Sequence, residues 1–201
     1  MKAEPTLLCM PDISGFTRFM GEIDFELSSK VIPTLLNNII YSNEVGLKVS
    51  EIEGDAVLFY RNGKLPSLKI LIDQCKYFYT EFYHQMDILR NKNNELPGAK
   101  RIPVLLGLKI ILHFGEEVGL VPIGKNVKLI GEDVIVAHKL LKNKIPINEY
   151  VLVSEGLLSR YAEKDKEEVL DWLNLKSGSI KLNHLGTVRY RYINLAPLQT
   201  T

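Results

Sequence analysis

Apolar positions along this chain alternate between short continuous runs and longer stretches with helical spacing. Thr6 to Met10 is a short apolar run that predicts a strand, and Pro11 to Gly15 reads as the turn that closes it. Thr17 to Met20 opens a helix, and Ser28 or Ser29 can cap a second that runs to about Glu44. In that second helix Val31, Ile32, Leu35, Leu36, Ile39 and Ile40 form an amphipathic stripe, and Pro33 is placed in the first turn, where a missing N–H costs little. Leu47 to Glu53 and Ala56 to Tyr60 predict a hairpin about the Glu53-Gly54 bend, ended by Asn62-Gly63. Pro66 to about Asn91 is a long helix with Leu68, Ile72, Cys75, Phe78, Phe82 and Leu89 on or near one face, and a polar loop follows to Lys100.

Pro103 to Phe114 and Glu117 to Pro122 predict another hairpin, turning at Gly115-Glu116. Gly131 to Lys142 is a helix, Tyr150 to Val153 a strand, and Ser154 caps a short helix to about Lys164. Lys164 to Glu168 reads as a charged, solvated loop or frayed helix end. Ser179 to Asn183 and Thr187 to Leu195 form a last hairpin around Gly186. The first part of this order is βαββαβ. It predicts an α+β, ferredoxin-like antiparallel sheet with helices on one face and a C-terminal β-hairpin extension. The 201 residues suit a single domain with a core from about residue 5 to 195. In this plan the end of the first strand lies beside the Glu53-Gly54-Asp55 bend, so Asp12 and Asp55 are expected to be neighbours.

Composition narrows the class. Hydrophobic residues at 46% and charged residues at 24% are ordinary for a globular chain in water. A net charge of +1 gives no pull toward nucleic acid or an anionic membrane, so neither is expected as a partner. No apolar run reaches the ~18 residues that span a bilayer, and a cytoplasmic location is the default expectation. Cys9 and Cys75 lie in apolar surroundings without CxxC spacing, which predicts buried free thiols rather than a disulfide or zinc site.

The candidate chemistry lies in Pro11-Asp12-Ile13-Ser14-Gly15-Phe16-Thr17 and in Glu53-Gly54-Asp55-Ala56, each of which places a carboxylate at the end of an apolar run. Two carboxylates on neighbouring strands can hold divalent metal against a phosphate chain. Gly15, Phe16 and Thr17 suit a turn whose backbone N–H groups and helix N-terminus face an anion. The plain alternative is a helix-capping Asp12 and a turn Asp55.

These motifs resemble the catalytic domain of class III nucleotidyl cyclases. The family's first metal motif matches Asp12-Ile13-Ser14-Gly15-Phe16-Thr17, and its second matches Gly54-Asp55. Its strand turn matches Leu112-His113-Phe114-Gly115, and its helix opening matches Gly131-Glu132-Asp133-Val134-Ile135-Val136-Ala137. The resemblance implies two Mg²⁺ or Mn²⁺ ions per site, held by Asp12, Asp55 and the Ile13 carbonyl. It implies ATP or GTP as substrate, a 3′,5′-cyclic nucleotide as product, and a homodimer whose interface holds the site. A catalytically degenerate module that binds a nucleotide or another ligand and signals through its dimer is the alternative.

The departures from the family pattern favour that alternative. The family's ribose-orienting asparagine is here Ile135, its phosphate-contacting arginine is Lys139, and the lysine of its last hairpin falls at Leu185, near His184 and Arg189. Lysine keeps the charge of arginine without its planar fork. At the two base-reading positions stand Glu51, which matches the guanine choice, and Lys128, which matches neither pattern; a simple Glu51–Lys128 ion pair is the competing reading. His113 is expected to be a core or turn histidine, and no chemical role attaches to His138.

Overall fold

The computed structural model describes residues 3–124, 126–170 and 175–200. Strand β1 (Glu4–Ser14) leads into helices α1 (Phe16–Glu22) and α2 (Phe25–Tyr41), the hairpin β2 (Lys48–Glu53) and β3 (Ala56–Asn62), and the long helix α3 (Leu68–Lys92). A 3₁₀ turn (Ala99–Arg101) and α4 (Ile102–Leu105) precede β4 (Gly107–Ile123), which turns into β5 (Asn126–Ile130) and α5 (Glu132–Leu140). Then follow β6 (Tyr150–Ser154), α6 (Glu155–Leu158), α7 (Glu163–Leu170) and the hairpin β7 (Lys176–Leu182) and β8 (Gly186–Asn194). The sheet runs β2-β3-β1-β4-β6-β8-β7, with β5 paired to β4 beside it. Its β4-β1-β3-β2 part is the expected ferredoxin-like antiparallel order, whereas β6 joins β4 in parallel.

Residues 6–10 read as a continuous apolar run because β1 is covered on both faces. Leu7, Cys9 and Ile13 enter a core with α2 and α3, and Leu8 and Met10 enter a second core with α5. Helices therefore lie on both faces of the sheet, not on one. By the two-residue period of a strand, Asp12 stands on the α5 face. Cys9 and Cys75 are buried free thiols of the first core.

Several boundaries differ from the sequence reading for local physical reasons. Helix α2 starts at Phe25, so Pro33 lies in its interior, where it removes an internal hydrogen bond. Ser28 and Ser29 donate back to the Phe25 and Glu26 carbonyls instead of capping. Strand β4 does not turn at Gly115-Glu116. A Cβ on Gly115 would lie 2.6 Å from Asp133 Cβ and 2.7 Å from Val118 Cγ2, so the glycine marks close packing, and the chain reverses after Ile123 at Gly124 (φ +63°). Residues 163–170 are helix, anchored by the buried Val169, rather than a loop, and the charged residues 164–168 are largely exposed, as expected.

Candidate metal and phosphate site

Asp12 is a strand residue, paired with Ala56 of β3 and Lys109 of β4, and not part of a turn. The β1–β3 ladder opens at Met10 and Pro11, where Pro11 has no N–H to give, and closes again at Asp12. Beyond it the Ile13 N–H donates to the Asp55 carbonyl at 3.0 Å, which ties the Gly54-Asp55 turn to the end of β1. The Ile13 side chain points away into the first core. Asp12, Glu53, Asp55, Ala56, Lys109, His138, Leu141 and Lys142 line one open cleft of about 360 Å³.

The electrostatics of this cleft are unbalanced. The Asp12 side chain is 10% exposed, and Oδ1 is buried without a hydrogen-bond donor among the described residues. Oδ2 faces the Lys109 ammonium at 3.6 Å. Burial pushes the Asp12 carboxyl up to about 6; Lys109 opposes this and Asp55 adds to it. Burial also raises Asp55, against a backbone hydrogen bond and Lys109. A buried acceptor oxygen without a donor, beside a second carboxylate, is a donor set that fits a hard dication. The Lys109 ammonium already faces Oδ2, so a dication would compete with it for this carboxylate.

The other candidate residues fall in three places. Gly15 (φ +80°) precedes α1, and a Cβ there would lie 1.9 Å from the Leu105 carbonyl oxygen, so only glycine lets β1 enter α1 beside α4. Phe16 and Thr17 open α1, four and five residues past Asp12 with Gly15 between. Glu51 meets Lys128 of β5 at 3.1 Å, the simple ion pair that sequence reading left open. Lys139 and Ile135 lie one turn apart on the exposed side of α5, and Lys139 does not line the cleft in its own chain. Leu185 lies in the β7–β8 turn, half-buried against the second core.

Three cleft residues escaped sequence reading. For Lys109, a charged residue inside the apolar run of β4 was the available signal. Glu53 stood in the Glu53-Gly54-Asp55-Ala56 stretch without a role of its own, and His138 carried none. His113, by contrast, is structural. Its Nδ1 lies 2.8 Å from Ser154 Oγ and its Nε2 3.2 Å from Asp133 Oδ1, while Ser154 is fully buried and also accepts from the Leu157 N–H. No substrate reaches that serine; the network ties α5 and α6 to the sheet.

A family model described as a protein of unknown function, DUF2652, matches residues 32–150. An uncharacterized protein of Mycobacterium tuberculosis, Rv2561/Rv2562, is 28% identical over 121 residues, 60% of this chain and 56% of that one. The chain thus spans little more than half the length of this curated relative. Among solved structures, the adenylyl cyclase CyaB from P. aeruginosa superposes with a TM-score of 0.59 at 16% identity, over 96% of this chain and 95% of that one. The guanylyl cyclase Cya2 gives 0.60 at 16% identity over 96% and 94%. The guanylate cyclase domain of RhGC from Catenaria anguillulae, in complex with GTP, gives 0.57 at 11% over 96% and 98%. At these identities the likeness is one of fold: that of adenylyl and guanylyl cyclase domains.

Proposed function

We propose that this chain, which belongs to the DUF2652 family, is a nucleotidyl cyclase-like protein that binds ATP or GTP with Mg²⁺ or Mn²⁺ at the Asp12–Asp55 cleft and forms a 3′,5′-cyclic nucleotide. The observation that carries this reading is the buried, donorless Asp12 Oδ1 beside Asp55 in a cyclase-type fold. Asp12, Asp55 and the Ile13 carbonyl would hold two metal ions. When bound, these would supply Lewis-acid activation of the ribose 3′-hydroxyl and neutralise the triphosphate. Gly15, Phe16 and Thr17 do not line the Asp12 cleft, and would reach phosphate oxygens only through the backbone N–H groups at the start of α1. In this reaction the 3′-oxygen would give its proton to solvent water in the open cleft and bond to the α-phosphorus, while the bond to pyrophosphate breaks and pyrophosphate leaves.

Lys139 serves this scheme only from a second copy, because on its own chain it faces outward. A two-fold homodimer with the site at its interface supplies it, and exposed Ile52, Val127, Ile130 and Ile135 offer apolar surface for such a contact. A second reading, a nucleotide-binding signalling module without turnover, is favoured by Ile135 and Leu185, which cannot donate to ribose or phosphate. Incubation with each NTP plus Mn²⁺, followed by mass spectrometry, tests the two. A cyclic product that disappears in Asp55→Ala supports the cyclase. Metal-dependent binding without product, and still none in the Lys139→Arg, Ile135→Asn double variant, supports the binding module.

A further inference from the structure

A second group of metal-type donors, Glu51, Glu53 and His138, lies outside the aspartate pair, and two of the three, Glu53 and His138, line the same cleft. Glu51 and Glu53 lie two residues apart on β2 and share a face of the strand. His138 of α5 stands against both: its Nδ1 is 3.4 Å from Glu53 Oε2 and its Nε2 is 4.0 Å from Glu51 Oε1. One donor atom from each residue lies within 4.8 Å of the other two. Bonds of about 2.1 Å to imidazole and carboxylate put tetrahedral donors about 3.4 Å apart; with Nδ1 as the ligating nitrogen Glu53 already stands at that spacing, and Glu51, which faces Nε2, must swing toward it. Independently, Asp12 brings its nine-tenths buried side chain, with Oδ1 lacking a donor, to the cleft that Glu53 and His138 line. The cleft thus holds a buried acceptor oxygen without a donor among the described residues, in the same lining as Glu53 and His138, with Lys109 and Lys142 as its cations.

We propose that Glu51, Glu53 and His138 form a site for a transition-metal dication of the zinc and cobalt class, separate from the Asp12–Asp55 pair. Imidazole beside carboxylates selects such ions over Mg²⁺, which prefers oxygen alone. Three protein donors leave one coordination position open toward the cleft. Lys128, 3.1 Å from Glu51 Oε2, is the outer contact that orients this carboxylate. The bound ion fastens α5 to the β2–β3 hairpin, the two elements that frame the aspartates. The site stands whether or not the chain turns over a nucleotide.

The test is a Co²⁺ titration of the full metal-free chain without nucleotide, read by visible absorption and calorimetry. The expected result is one Co²⁺ per chain with bands of nitrogen ligation, displaced by Zn²⁺ and not by equimolar Mg²⁺. His138→Gln and Glu53→Gln should each weaken binding by more than the ~10–100-fold that loss of an outer-shell partner costs, while Asp55→Asn weakens it far less. His138→Cys should keep the ion and add a sulfur-to-cobalt band in the near ultraviolet, which shows ligation even if another variant folds poorly. A chain that takes up no Co²⁺, binds it equally well after His138→Gln, or loses it as fully with Asp55→Asn overturns the proposal.

Discussion

Replacing Asp12 by asparagine should stabilise the metal-free protein, and increasingly so as pH rises. Burial lifts this carboxyl from 3.8 to about 6 even with Lys109 at 3.6 Å. A change of that size corresponds to about 3 kcal/mol of resistance to ionisation in the folded state. Below the unfolded value both states hold the proton and the group is neutral in the balance. Between 3.8 and about 6 the unfolded chain releases its proton while the folded chain keeps it, so stability falls with rising pH. Above about 6 the folded chain carries the full cost. The amide of Asp12→Asn never ionises and keeps an acceptor for Lys109. Urea unfolding in EDTA from pH 4.5 to 8 should show the variant gaining on the wild type, by roughly 2–3 kcal/mol at pH 8. Added Mg²⁺ or Mn²⁺ should then favour the wild type alone, by mass action on the ionised carboxylate. Parallel wild-type and variant curves across this range, or a wild type more stable at pH 8 in EDTA, would refute the reasoning.

Other substitutions probe the same frame. Lys109→Met removes the charge that holds the Asp12 carboxyl down and competes for its oxygen; calorimetry should show Mn²⁺ bound about tenfold tighter, with the pH-dependent loss of stability moved above 6. Gly15→Ala puts a Cβ against the Leu105 carbonyl at positive φ and should cost more than about 2 kcal/mol by urea unfolding. Ser154→Ala removes the α6 cap and the partner of His113 Nδ1, an expected loss of about 1–2 kcal/mol by the same assay. If a cyclic product forms, Lys139→Arg should raise kcat more than nucleotide affinity, because the fork strengthens a contact made as charge develops.

The approach of Asp12 to Asp55 was legible because strand order and glycine-flanked motifs are local signals that a ferredoxin-like order brings together. What the sequence hid was set by neighbours far along the chain. Pro11 and Gly115 look like turn residues. Yet Pro11 sits in a central strand whose ladder simply opens beside it, and Gly115 is small because Asp133 and Val118 crowd it. Charge patterning made 164–168 look solvated, and the helix there exists because Val169 finds an apolar place to pack. Glu53 comes to the cleft with the β2–β3 hairpin that carries Asp55, but Lys109 and His138 carry no motif; only the register of β1 with β4 and the docking of α5 bring these two there. Conversely, the resemblance that placed Lys139 among catalytic groups holds in one chain only for its position on α5, not for its reach.

The most direct test of the account is calorimetry of ATP and GTP binding in the presence and absence of Mg²⁺, with wild type, Asp12→Asn and Asp55→Ala side by side. The account predicts that the wild type binds one of the two nucleotides only with Mg²⁺ and that both variants lose this binding while remaining folded. Nucleotide binding that needs no metal, or that survives both substitutions, would contradict it.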